Sequence, residues 1–271
     1  MKSIHCDIFL KTKVFFYYRI MKQTASILGP FGSGTNLVYK LLKECFHIPG
    51  PDGSTKIWKH MLDPEKLFNN VKSNPDILYI VVYRPLDGWI NSMKKEPYHI
   101  MWNRRSVESP CWFRQDINNK EMYFRNIIDV YESYYFNYMK LLRDYSNIVW
   151  VNYEEILNRE NIINYFERKF SDYNVDIKNN INLDTYDGPS KVGHGMSVNN
   201  IEEALEKMKN TNEAAEFKDY RNKNIIGFFE KEDSNISLDD IINEYENTRT
   251  VFHTINEWRE YSTELYKKRT C

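Results

Sequence analysis

The sequence predicts an α/β fold in three layers, α/β/α, with a central parallel sheet. Two observations carry this expectation. Short apolar runs alternate along the chain with longer stretches whose apolar residues recur at helical spacing. One run, ILYIVVY (Ile77–Tyr83), is apolar throughout, as a strand buried on both faces must be. Strands that alternate with helices form parallel sheets, because each crossover helix packs back onto a face of the sheet.

Taken in order, TASIL (Thr24–Leu28) reads as the first strand, followed by the glycine turn GPFGSG at 29–34. Leu37, Val38, Leu41, Leu42, Cys45 and Phe46 then mark one face of a helix. TKIWKH at 55–60 reads as a second strand. DPEKLFNNVK reads as a helix with Asp63 as N-cap and Pro64 at the first helical position. ILYIVVY is the third strand, and DGWINSMKK the helix after it. Residues 121–145 are expected to form one long helix whose aromatic stripe packs in the core. NIVWVNY at 147–153 is the fourth strand, with EEILNRENIINYFERKF as its helix. Past residue 175 the pattern weakens to Asn-rich loops, with helices returning at about 201–217 and 237–268. No internal repeat or Pro/Gly/Ser linker divides the chain. Residues 21–271 therefore read as a single domain, and residues 1–20 as an N-terminal extension that is a candidate for disorder.

Composition narrows the function classes. Lys+Arg total 37 against 38 Asp+Glu, so no global basic field argues for nucleic acid or a membrane surface. The four cysteines, Cys6, Cys45, Cys111 and Cys271, lack metal-ligand spacing and read as reduced thiols of a cytoplasm-like compartment. No apolar run approaches the roughly 20 residues of a membrane span. Asp7, Lys11, Lys13 and Arg19 break up the N-terminal hydrophobics, which makes a poor signal peptide. A cytoplasmic chain without a membrane span is the expectation; the oligomeric state is not legible.

The chemistry begins at the glycine turn. A helix N-terminus presents unpaired N–H groups and a partial positive charge, so it favours anions. Gly29, Gly32 and Gly34 allow the backbone to curl around a phosphate, and Ser33 and Thr35 add hydroxyls. Measured against Gly-x-x-x-x-Gly-Lys-Ser/Thr, both glycines are in place, but Thr35 follows Gly34 directly and the lysine is missing. Its loss argues against an ATP or GTP hydrolase. A second anion site is suggested by YRPLDGWINS: Arg84 ends the buried strand, and Ser92 stands eight residues on in the next helix. On these residues alone, a tight connection and a surface ion pair remain open.

GPFGSGTN, WKH, YRPLDGWINSM and IVWVNYEEIL resemble, in this order, the successive motifs of sulfotransferases that use 3′-phosphoadenosine 5′-phosphosulfate. The resemblance covers roughly residues 22–170 and implies a P-loop NTPase-like sulfotransferase fold. It implies that the loop, Gly29, Gly32, Ser33, Gly34, Thr35 and Asn36, cradles the 5′-phosphosulfate, while Arg84 and Ser92 hold the 3′-phosphate. Tyr153, followed by Glu154 and Glu155, would lie near the adenine. His60, which precedes Arg84 by 24 residues, would be the general base. Lys191, in SKVGHGMS at 190–197, would reach the 3′-phosphate from a closing loop. The donor's phosphosulfate anhydride carries the activation, so no metal is required.

One position departs from this pattern. Gly32 stands where many such enzymes carry Lys or Arg, and Lys59 or Lys56 would then supply the charge. Strand alternation sets Lys59 opposite His60 unless the strand ends early and turns; Lys59 beside His60 is the favoured arrangement. His194 lacks partners at metal-ligand spacing, and Arg104, Arg105 and SPCWFR read as a solvated loop. The function expected is sulfuryl transfer to a hydroxyl of a small-molecule or glycan acceptor, with a carbohydrate favoured. The alternatives are a nucleoside or metabolite kinase using ATP and Mg²⁺, and a degenerate nucleotide-binding module.

Overall fold

A computed structural model describes residues 24–46, 57–104, 106–115, 120–158, 161–173, 175, 190–191, 197–198, 228–229, 237–249 and 251–270. The parallel sheet contains β1 (Thr24–Leu28), β2 (Ile77–Tyr83) and β6 (Ile148–Asn152), with β2 in the centre. Register pairs Leu28 with Val81 and Tyr83 with Asn152, so the three strands end along one edge of the sheet. Alternation on β2 sends Ile77, Tyr79, Val81 and Tyr83 into one core and Leu78, Ile80 and Val82 into the other. Both faces are therefore dry, which accounts for the unbroken apolar run.

Helix α1 (Thr35–Cys45) packs Leu37, Val38, Leu41 and Leu42 on one face of the sheet. The other face receives α2 (Pro64–Ser73), α3 (Leu86–Lys95) and α4 (Ile127–Asp144). The start of α2 is as the sequence predicts: the Asp63 carboxylate accepts from the N–H groups of Glu65 and Lys66, at 3.1 and 3.4 Å. After β6 the chain forms two short helices, α5 (Tyr153–Ile156) and α6 (Ile162–Lys169), where the pattern suggested one.

Three expectations are corrected. Lys56 lies outside the described residues, but from Ile57 onward the segment is not a strand: Lys59 and His60 form a turn, and Met61 N–H donates to Trp58 O at 3.0 Å. One bond from Gly29 N–H to Lys59 O, at 2.9 Å, stands in place of a ladder. The long helix does not begin at 121. Residues Lys120–Phe124 form β5, paired antiparallel with β4 (Cys111–Gln115), which pairs with β3 (Ile100–Met101). Asn126 then caps α4, accepting from Asp129 N–H at 2.9 Å. The sequence showed apolar residues at helical spacing here, whereas a partner strand decided their conformation. It also read SPCWFR as loop, and the same pairing draws its last four residues, Cys111 to Arg114, into β4.

The C-terminal helical stretch is two helices, α7 (Leu238–Thr248) and α8 (Ile255–Thr270). Trp258 Nε1–H of α8 donates to Phe124 O at 3.0 Å, which fastens this end of the chain to the antiparallel sheet. The helix expected at 201–217 lies outside the described residues. Cys45 and Cys111 are buried free thiols; Cys6 and Cys271 lie outside the description. Among the described residues, no helix is long and apolar enough to cross a membrane.

Candidate functional site

The glycine loop leaves β1, crosses the ends of β2 and β6, and enters α1. Gly34 is the N-cap of α1 at φ 90°, with no side-chain cap bond, and Gly32 sits at φ 68°. Both are in the left-handed region that side chains avoid. Inside the turn, Ser33 is buried and its Oγ–H donates to Pro30 O at 2.8 Å, so the hydroxyl braces the loop. Thr35 is buried at the first position of α1, and Asn36 is exposed beside it.

Arg84 and Ser92 both meet this loop at Gly32. Arg84 Nη1–H donates to Gly32 O, and a Cβ added at Gly32 would stand 2.8 Å from Ser92 Oγ. The two anion sites expected from the sequence thus share one wall. The guanidinium is 2% exposed, and burial lowers its pKa. It lies over the Tyr153 ring, 4.4 Å from the centroid. Tyr153 is itself fully buried, and a Cβ on Gly34 would come within 2.6 Å of its ring. Tyr153, which the resemblance sets near an adenine, follows the end of β6 and lies with its ring against both Gly34 and the Arg84 guanidinium.

Lys59 and His60 arrive from the turn at 57–60. The Lys59 ammonium hydrogen-bonds the Oδ1 of Asn36, which places a cation at the N-terminus of α1. A positive charge there opposes the helix dipole, and an anion bound between them satisfies both. His60 is 8% exposed, with Nδ1 2.7 Å from Gly29 O. A carbonyl can only accept, so Nδ1 carries the hydrogen and Nε2 is left as an acceptor. Burial holds the His60 pKa down at about 4, with the Lys59 charge adding to the effect against the bond to Gly29. The imidazole is therefore neutral at neutral pH. Its ring packs on Phe31 of the loop, 4.3 Å between centroids, and Trp58 meets it edge-on at 5.7 Å.

No family model, curated protein or solved structure matches the chain.

Other expected residues fall elsewhere. Lys191 is in β7 (Ser190–Lys191), paired with β8 (Ser197–Val198), but its side chain and residues 192–196, including His194, lie outside the described residues. Arg104 caps α3, its Nη1–H donating to Lys94 O and Lys95 O at 3.2 and 3.3 Å. Arg105 lies outside the description.

The aromatic stripe of α4 packs in the core as expected, and it also holds the site. Tyr135 Oη accepts from Arg84 N–H at 3.0 Å and donates to Val82 O at 3.1 Å. Tyr131 O–H donates to Arg84 O at 2.7 Å, and Tyr134 O–H to His60 O at 3.0 Å. Asn137 Nδ2–H adds a bond to Leu62 O at 2.9 Å. Sequence reasoning missed these four, although one signal was present. Tyrosines, unlike phenylalanines, need a polar partner when buried.

Proposed function

We propose that the chain is a sulfotransferase on a P-loop NTPase-like α/β/α fold. It moves a sulfuryl group from 3′-phosphoadenosine 5′-phosphosulfate to a hydroxyl, in our reading one on a carbohydrate. One observation carries this: Arg84, Ser92, Lys59 and His60 all converge on the glycine loop. A site with two cations, a helix N-terminus and a neutral base suits a multiply charged donor and an acceptor that must lose a proton.

The residues divide the work as follows. Ser33 N–H is spent on Pro30 O at 3.2 Å, so the amides of Gly32, Gly34, Thr35 and Asn36, with the Lys59 ammonium, take up charge growing on the leaving phosphate. His60 Nε2 accepts the acceptor's proton while the acceptor oxygen forms its bond to sulfur. The bond from sulfur to the 5′-phosphate oxygen breaks, and adenosine 3′,5′-bisphosphate leaves. An imidazole with a pKa of about 4 holds a proton poorly on its own. The negative charge of a bound donor raises its proton affinity at the moment of transfer. Trp58 beside it is half-buried and offers an aromatic surface for a sugar ring.

A second reading is favoured by two observations: Gly32 in place of a cationic side chain, and the near-complete burial of Arg84. In it the chain binds the nucleotide but transfers nothing. Calorimetric titration with adenosine 3′,5′-bisphosphate against ATP-Mg²⁺, followed by turnover with labelled donor and candidate glycans, tests both. The expectation is tight bisphosphate binding that Arg84→Ala weakens by about 1.5–3 kcal/mol. His60→Ala should abolish turnover and leave that affinity nearly intact. Preference for ATP-Mg²⁺ would replace the proposal with a kinase; binding without turnover would favour the second reading.

A further inference from the structure

Just past α3, the segment Glu96-Pro97-Tyr98-His99-Ile100 makes a tight turn, with Ile100 N–H donating to Pro97 O at 3.0 Å. Tyr98 N–H points to the Glu96 carboxylate at 3.4 Å. Among the described residues, Tyr98 is the one non-glycine with positive φ, at 54°. An aromatic residue resists that conformation, and strain of this kind collects at ligand clamps. Nothing in the sequence singled this turn out.

Its side chain reaches the nucleotide loop. The Tyr98 ring stacks on Phe31, with centroids 5.1 Å apart and planes 17° from parallel. The residue after Phe31 is Gly32, whose carbonyl takes the Arg84 hydrogen bond and whose Cα faces Ser92. Phe31 is fixed from the other direction by Trp89 Nε1–H, which donates to its carbonyl at 2.6 Å. Tyr98 and Arg84 thus contact consecutive loop residues. Burial and the Glu96 carboxylate raise the Tyr98 pKa, while Arg84 opposes them. The phenol therefore keeps its proton at neutral pH and can donate it.

We propose that the Tyr98 hydroxyl is a third donor, beside Arg84 and Ser92, to the 3′-phosphate of the bound nucleotide. This rests on the nucleotide-binding reading above and adds a residue from a fourth segment of the chain. The strained turn then has a purpose: it holds the Tyr98 ring on Phe31, one residue before the Arg84–Gly32 contact.

The test is calorimetric titration of the wild-type chain and Tyr98→Phe with adenosine 3′,5′-bisphosphate and with adenosine 5′-phosphate. Phenylalanine keeps the ring on Phe31, so an unchanged unfolding midpoint confirms an intact turn. Bisphosphate affinity should fall about tenfold, the worth of one hydrogen bond to a charged group. Affinity for the 5′-monophosphate, which lacks the group in question, should not change. Equal bisphosphate affinity in the two proteins, or equal losses for both ligands, overturns the assignment of Tyr98 alone. A wild-type chain that binds the bisphosphate no better than the monophosphate overturns the nucleotide reading, and this inference with it.

Discussion

At the scale of single residues, the position that most separates this chain from the pattern it resembles is Gly32. Restoring a cation there looks like an improvement, but the local geometry argues otherwise. A side chain at φ 68° costs about 1–2 kcal/mol, and its Cβ would press on Ser92 Oγ at 2.8 Å. In the proposed site that charge comes from Lys59, whose ammonium hydrogen-bonds Asn36 of the loop. Gly32→Lys should therefore lower the unfolding midpoint and weaken bisphosphate binding at least about tenfold, read by calorimetry beside thermal unfolding. Faster sulfuryl transfer in that variant would remove Lys59 from the role given to it.

At the scale of elements, α4 does two jobs with one face. Its tyrosine rings fill the core between the sheet and α7, and their hydroxyls hold the backbone of β2's end and of the His60 turn. Tyr135 is fully buried and serves two backbone groups at once. Tyr135→Phe preserves the packing and leaves Arg84 N–H without its acceptor. The expected loss is about 1–3 kcal/mol of stability by denaturant titration, with a larger fractional loss of bisphosphate affinity than a remote core substitution of equal cost. A silent substitution would mean that the hydroxyls do not position the site. The helix was legible from its spacing, but its start was not. Met122, Tyr123 and Phe124 continue the apolar pattern, yet β4 claims them as a strand partner.

At the scale of the whole molecule, the buried histidine ties the fold to pH. His60 has a pKa of about 4 when folded, against an ordinary value of 6.5. Between those values the unfolded chain binds a proton that the folded chain refuses, so stability rises with pH through this window and levels off above it. Lowering the pH from 8 to 5 should cost about 2 kcal/mol through this residue. His60→Gln should flatten that part of the profile, measured by denaturant unfolding at each pH. An unchanged slope would mean that the imidazole is solvated and open to protons. Sequence alone determined the strand–glycine turn–helix unit, the doubly buried central strand and the Asp63 cap, because each depends on residues near one another in the chain. Tertiary structure decided the rest. Lys59 and His60 reach the loop only because the expected strand gives way to a turn, and Tyr153 lies beneath Gly34 only because β6 ends beside β2. Hydrogen bonds and packing between segments about 20 to 120 residues apart set these positions, and no local period records them.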